Sequence, residues 1–204
     1  MTTASLLWSR LDTAGAEHAL VDDARGLTGH GTIIAAAPVP YTLSYEVQAD
    51  EHWISGRLAV RAEGVGWQRT VTLERAVGRW RVTAGERGDL DRALTAAGRA
   101  RLLLPGAEDT DTLAPALDVD LGFSPLTNTL PIRRLGLLDA APGTSATITA
   151  AWVLVPSLTV VAAEQTYTVL GAGSIRYSSG SFSAELTVDA QGYVLSYPGL
   201  ATRR

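Results

Sequence analysis

The sequence predicts a mainly β protein, in which about a dozen strands form a barrel, an open barrel or a sandwich with one or two short helices between them. Three observations predict it. Segments of apolar–polar alternation recur along the chain, short glycine turns separate them, and two stretches, 86–115 and 118–137, read as something other than strands. A chain of 204 residues without a solenoid repeat reads as one domain over 1–204, with 86–115 as a loop or helical insertion within it.

Ala4–Arg10 and His18–Asp22 read as the first strands. Gly26, Gly29 and Gly31 mark turns before a short strand, Thr32–Ala37, which Pro38 and Pro40 close. Tyr41–Asp50 alternates strictly, with Tyr41, Leu43, Tyr45, Val47 and Ala49 on one face. Ile54–Ala62 repeats this with Ile54, Gly56, Leu58, Val60 and Ala62 inward. Trp67–Arg75 turns Trp67, Val71 and Leu73 inward, and Arg79–Ala84 turns Trp80 and Val82 inward. The intervening Gly64-Val65-Gly66 and Gly78 make these an antiparallel meander with one wet face and one face on a core or cavity.

Asp89–Leu104 is rich in alanine and leucine and predicts a helix capped by Asp89, weakened at Gly98 and stopped by Pro105-Gly106. Glu108–Thr112 reads as an exposed loop. Thr147–Val155 is apolar on both faces, so it is central or covered on both sides. In Leu158–Leu170 the apolar phase shifts around Ala162–Glu164, which predicts a bulge. Ser174–Ser178, Phe182–Val188 and Tyr193–Tyr197 complete a second meander, and Thr202-Arg203-Arg204 should fray.

The net charge of −4 and a pI near 5.4, with no large arginine cluster, disfavour nucleic acid. All 17 basic residues are arginine, which reads as coding bias. The absence of cysteine removes disulfides, zinc ribbons and thiol catalysis. His18, His30 and His52 lack ligand spacing, so no metal is expected, and no phosphate-binding or dinucleotide loop calls for a cofactor. The start, MTTASLLWSRLDTAGAEHA, lacks a basic region and an apolar run of signal-peptide length. No run of about 18 apolar residues occurs. A soluble cytoplasmic protein without stable membrane insertion is expected.

The chemistry-bearing stretch is Asp118–Leu137, DVDLGFSPLTNTLPIRRLGL. Asp118 and Asp120 share a strand face and fit the spacing of a glycosidase pair, about 5–9.5 Å. The competing reading pairs them with Arg133 or Arg134. Those arginines suit an anionic headgroup or a salt bridge, and at most one faces any pocket. Asn128, in Thr127-Asn128-Thr129, reads as a cap or as a ligand contact, and Ser124–Leu135 as a short helix closing one end of a barrel. Trp53, Trp67, Trp80, Trp152, Tyr167 and Tyr197 are core residues or stacking surfaces for a sugar.

The run SPLTNTLPIRRL preceded by DVDL resembles the signature of a bacterial family described as putative glycolipid-binding proteins. Trp53, Gly78-Arg79-Trp80, Trp152 with Pro156, Gln165-Thr166-Tyr167 and Tyr197-Pro198-Gly199-Leu200 extend the resemblance over most of the chain. Ala116-Leu117 stands where the family has a glycine–cysteine pair, so no role of that cysteine carries over. The resemblance implies an antiparallel open (half) β-barrel, similar to bacterial lipoprotein carriers, and non-catalytic binding of a glycolipid or similar amphiphile. Arg133 is the first candidate for ligand contact and Asn128 the second, with Asp120, Trp152, Tyr167 and Trp80 completing the set. A hydrolase or isomerase using Asp118 or Asp120, and an interaction module dimerising along sheet edges, are the alternatives.

Overall fold

The structure, a computed structural model, describes residues 3–204. Among them, fourteen strands form one sheet. The first meander comprises β1 (Thr3–Arg10), β2 (Gly15–Asp22), β3 (Leu27–Ala35), β4 (Tyr41–Ala49), β5 (Ser55–Gly64), β6 (Trp67–Ala76) and β7 (Arg79–Gly88), each antiparallel to the next. The second runs through β9 (Ser145–Val153), β10 (Val160–Gly171), β11 (Ser174–Ser179), β12 (Phe182–Val188), β13 (Val194–Tyr197) and β14 (Ala201–Arg203). The halves meet where β14 pairs with β1, with Trp8 opposite Arg203. At the far edge, β8 (Asp118–Leu121) lies parallel to β9. The sheet therefore ends in β7 on one side and β8 on the other, and stays open.

The alternation read from the sequence is the burial pattern. In β4 the residues Tyr41, Leu43, Tyr45, Val47 and Ala49 are buried, and those between them are exposed. Gly29 and Gly31 lie inside β3, not in turns. A Cβ at Gly31 would stand 2.5 Å from the Tyr45 ring, so glycine here makes room for an aromatic on the neighbouring strand. In β5 the register shifts opposite Gln48 and Ala49, so Ser55 and Leu58 are buried while Gly56 is exposed. The expected inward Gly56 is thus corrected by a bulge. The bulge expected near Ala162–Glu164 is absent, since β10 pairs continuously with β9 there; the irregularity falls at Val169–Gly171 against β11. The chain end does not fray: Ala201–Arg203 is the strand that joins the two halves.

Helix α1 spans Leu90–Ala96, shorter than expected. The Asp89 carboxylate caps it, accepting from Arg92 N–H at 2.8 Å, and Gly98 at φ +68° ends it. After a 3-10 turn at Thr110–Leu113 the chain enters β8, then a 3-10 turn at Pro125–Asn128, then helix α2, Thr129–Arg134. Leu113, Leu121, Leu126 and Leu130 from this connection pack into the same core as Trp8, Leu43, Leu58 and Leu73. Ile132 and Leu137 instead join Tyr167, Val169, Ile175 and Leu186 in a second core. The segment therefore fills the concave side of the first meander and seams it to the second. Among the described residues, no helix is long and apolar enough to cross a membrane.

Candidate functional site

Parallel pairing of β8 with β9 sets Asp118 opposite Ala150 and Asp120 opposite Trp152. The two aspartates then meet different fates. Asp118 is sealed from solvent and held by Arg134 through both oxygens, at 2.6 to 3.2 Å. Burial outweighs that guanidinium and raises the Asp118 carboxyl above its ordinary value. Asp120 has no arginine among the described residues. Its Oδ1 accepts from Thr127 Oγ1 at 3.0 Å and its Oδ2 from Gln165 Nε2 at 2.6 Å. Burial raises it too, opposed by those two hydrogen bonds and reinforced by the charge of Asp118.

Beyond Asp120 the chain turns sharply. Gly122 N–H donates to the Val153 carbonyl at 2.9 Å, and a Cβ on Gly122 would approach that oxygen to 3.1 Å and the Trp152 indole nitrogen to 3.5 Å. Phe123 follows at φ +67°, a conformation costly for a side chain of its size. Its ring is 39% exposed and the Arg10 guanidinium stacks 4.5 Å from its centre. Ser124 then donates to the buried Glu17 at 2.7 Å. Glu17 also accepts from the Tyr45 hydroxyl at 2.5 Å, while its other oxygen has no partner among the described residues. Burial drives the Glu17 carboxyl up to about 7, against the Tyr45 and Ser124 hydrogen bonds and the charge of Arg10.

These pieces wall a cavity of about 810 Å³, a volume typical of small-molecule sites. Asp120, Phe123, Ser124, Asn128, Trp152 and Leu154 line it together with Tyr177, Phe182, Tyr197 and Leu200. The Tyr177, Phe182 and Tyr197 rings lie 6.1 to 6.3 Å apart as one aromatic wall. Phe182 is half exposed at its rim. A second hollow, about 550 Å³ over α1, is lined mainly by Asp89, Asp91, Arg92, Thr95 and Arg101 and offers little to an apolar ligand.

Of the six candidates from the sequence, Asp120, Asn128 and Trp152 line the cavity. Asn128 does not cap α2 with its side chain; its Oδ1 accepts from the Tyr167 hydroxyl at 3.2 Å. Tyr167 is thus a buried prop behind the wall. Arg133 is not among the lining residues: it donates to the Gln191 carbonyl at 2.9 Å and stacks 4.4 Å over Trp53, tying the β12–β13 turn to the β4–β5 turn. The Trp80 indole is buried and bonds the Ala116 carbonyl at 3.0 Å. Gln165, Phe123, Tyr177 and Phe182 were not singled out as individual contacts. Gln165 had a signal, since it stands two residues before Tyr167 on one strand face. Phe123 had none, because nothing in Gly-Phe-Ser announces a positive φ at the middle residue.

The model of a family described as "Putative glycolipid-binding" matches residues 5–203. The chain is also similar to a crystal structure of a DUF1089 family protein from Pseudomonas aeruginosa, at 29% sequence identity over 92% of each chain and a TM-score of 0.70. No curated protein matches it.

Proposed function

The chain belongs to the putative glycolipid-binding family, and from that premise we propose that it is a soluble, cytoplasmic, non-catalytic binding protein for an amphiphile, a glycolipid or a related lipid. The carrying observation is the cavity itself, whose lining combines aromatic and aliphatic side chains with a few polar ones, Asp120, Asn128 and Trp152 among them. An alkyl chain would lie against Tyr177, Phe182, Tyr197 and Leu200, and the polar end of the ligand would meet Asp120. Each methylene so buried contributes about 0.8 kcal/mol, or roughly fourfold in affinity.

Native mass spectrometry of protein purified from its host should reveal a co-purifying lipid. A series of alkyl glucosides of increasing length should bind about fourfold more tightly per methylene until the cavity fills. An empty mass together with a flat series overturns the proposal. One observation favours a second reading: Asp120 is a carboxylate in a cavity, raised and free of any arginine, as a general acid would be. Asp118, locked to Arg134, is a poor second member of such a pair. Loss or change of the co-purified ligand's mass on prolonged incubation would support catalysis, and its recovery unchanged would support binding.

A further inference from the structure

The cavity has a charge preference that the word glycolipid does not contain. Its charged lining side chains, among the described residues, are Asp12 and Asp120, with no arginine or histidine in the wall. Asp12 is neutralised by Arg10, at 2.5 and 2.9 Å. Asp120 is satisfied only by the neutral Thr127 hydroxyl and Gln165 amide, one donor to each oxygen, so each retains acceptor capacity. A largely buried carboxylate at a cavity wall, with neutral partners alone, is the arrangement that a cationic guest completes. Aromatic faces also attract cations, and Tyr177, Phe182 and Tyr197 line the same cavity. Burial raises the Tyr177 and Tyr197 hydroxyls above their ordinary value, and the nearby charge of Asp120 adds to it.

We propose that the polar end of the ligand is a protonated amine, as in an amino sugar or amino alcohol carried on an alkyl chain, with Asp120 as its counter-ion and the Tyr177–Phe182–Tyr197 wall flanking it. The inference rests on the binding reading above and adds the charge of the headgroup. Anionic headgroups would face Asp120 with no cation in the wall to receive them. The two arginines of the Asp118–Leu137 stretch do not supply one, since Arg134 is committed to Asp118 and Arg133 to Gln191 and Trp53.

The test uses three probes with one tail, dodecylammonium, dodecyl glucoside and dodecyl phosphate, titrated calorimetrically into the full chain below their micellar concentrations. Dodecylammonium should bind at least about tenfold more tightly than the glucoside, with the phosphate weakest. Asp120→Asn, which keeps the side-chain shape and an acceptor for Gln165, should bring the ammonium affinity down to that of the glucoside. Equal affinities in the wild type, or a preference for phosphate, overturn the inference while leaving the binding reading standing. Failure of all three probes to bind overturns both. The wild-type ranking decides the matter even where the variant folds poorly.

Discussion

At the scale of single residues, the polar groups that matter sit in the apolar phase of strands. Glu17 alternates with Ala19 and Val21 on the buried face of β2, and Arg69 alternates with Trp67, Val71 and Leu73 on that of β6. Neither has a local reason to be there. Each reaches a part of the chain far away in sequence, Glu17 to Ser124 and Arg69 to the Leu103 and Ser157 carbonyls. Glu17 has a thermodynamic consequence. Its carboxyl is raised from an ordinary 4.5 to about 7 in the folded state, so between those pH values the folded protein keeps a proton that the unfolded chain has lost. Stability from this group is complete below about pH 4.5 and falls as pH rises through 7, by on the order of 3 kcal/mol. Glu17→Gln keeps an acceptor for Tyr45 and Ser124 but does not titrate. In urea melts at pH 4.5 and pH 8, the variant should therefore gain on the wild type by about that amount at the higher pH. Parallel pH curves would show that Glu17 is not held protonated. The alternation of Trp67–Arg75 leaves Arg69 on the apolar face, whereas Glu17 lies just before the strand expected at His18–Asp22; the partners of both, 34 to 107 residues away, leave no periodic trace.

At the scale of elements, the meander strands were readable because each has a dry face and a wet face, which writes period two into the sequence. Where an element is held by tertiary contacts, the trace fades. β8 has only four residues, nearly all buried, and is a strand because β9 offers it a parallel edge. β14 has three, and its pairing with β1 is what unites the halves. The loop at Gly122–Ser124 is the sharpest case. Phe123 is forced to φ +67° while its ring lies at the cavity wall over Arg10. A left-handed residue with a side chain costs about 1–2 kcal/mol, and Phe123→Gly removes that cost together with the ring. Its stability should stay within about 1 kcal/mol of the wild type, while affinity for an alkyl probe falls several-fold. Val77 provides the control. It has φ +51° in the two-residue β6–β7 turn, fully exposed and away from the cavity, and Val77→Gly should relieve strain without changing binding. Urea melts and calorimetry on both variants separate strain at a site from strain in a turn. A Phe123→Gly variant that loses stability and affinity together would assign the ring to folding instead.

At the scale of the molecule, two meanders fused through β1 and β14 leave a long open sheet whose far edges, β7 and β8, do not pair. Residues 103–137 close the gap, docking on the concave face at polar points built into the first meander. Ser55 accepts from Val119 N–H at 3.1 Å, Trp80 donates to Ala116, Glu17 holds Ser124, and Arg69 holds Leu103 and Ser157. The sequence marked this stretch as exceptional and its resemblance indicated an open barrel, but a plug's docking points are scattered over strands and become one surface only in three dimensions. Arg69 is the point where the edge strand β7, the connection at Leu103 and the β9–β10 turn converge. It is 1% exposed, bonds Glu86 on β7 at 2.9 Å, and its Nη1 donates to Leu103 at 2.7 Å and Ser157 at 3.2 Å. Beside it, Gly106 bridges to Thr159, and Thr159 Oγ1 donates to the Leu104 carbonyl. Arg69→Met keeps the apolar stem and strips the donors, leaving two inward carbonyls unpaired and Glu86 without its cation. Stripping the donors of this buried guanidinium, whose partner Glu86 is partly exposed, should cost about 2 kcal/mol. The loss should be local before it is global, since β3, β4 and the β1–β14 seam make none of these bonds. Hydrogen exchange should accelerate first at Gly106 and Val160, whose amides tie the connection to the start of β10 by donating to the Leu158 and Gly106 carbonyls, while the β3–β4 ladder keeps its protection. Uniform acceleration over the whole sheet would mean that the plug and the meanders open as one unit and that Arg69 is simply part of a single core.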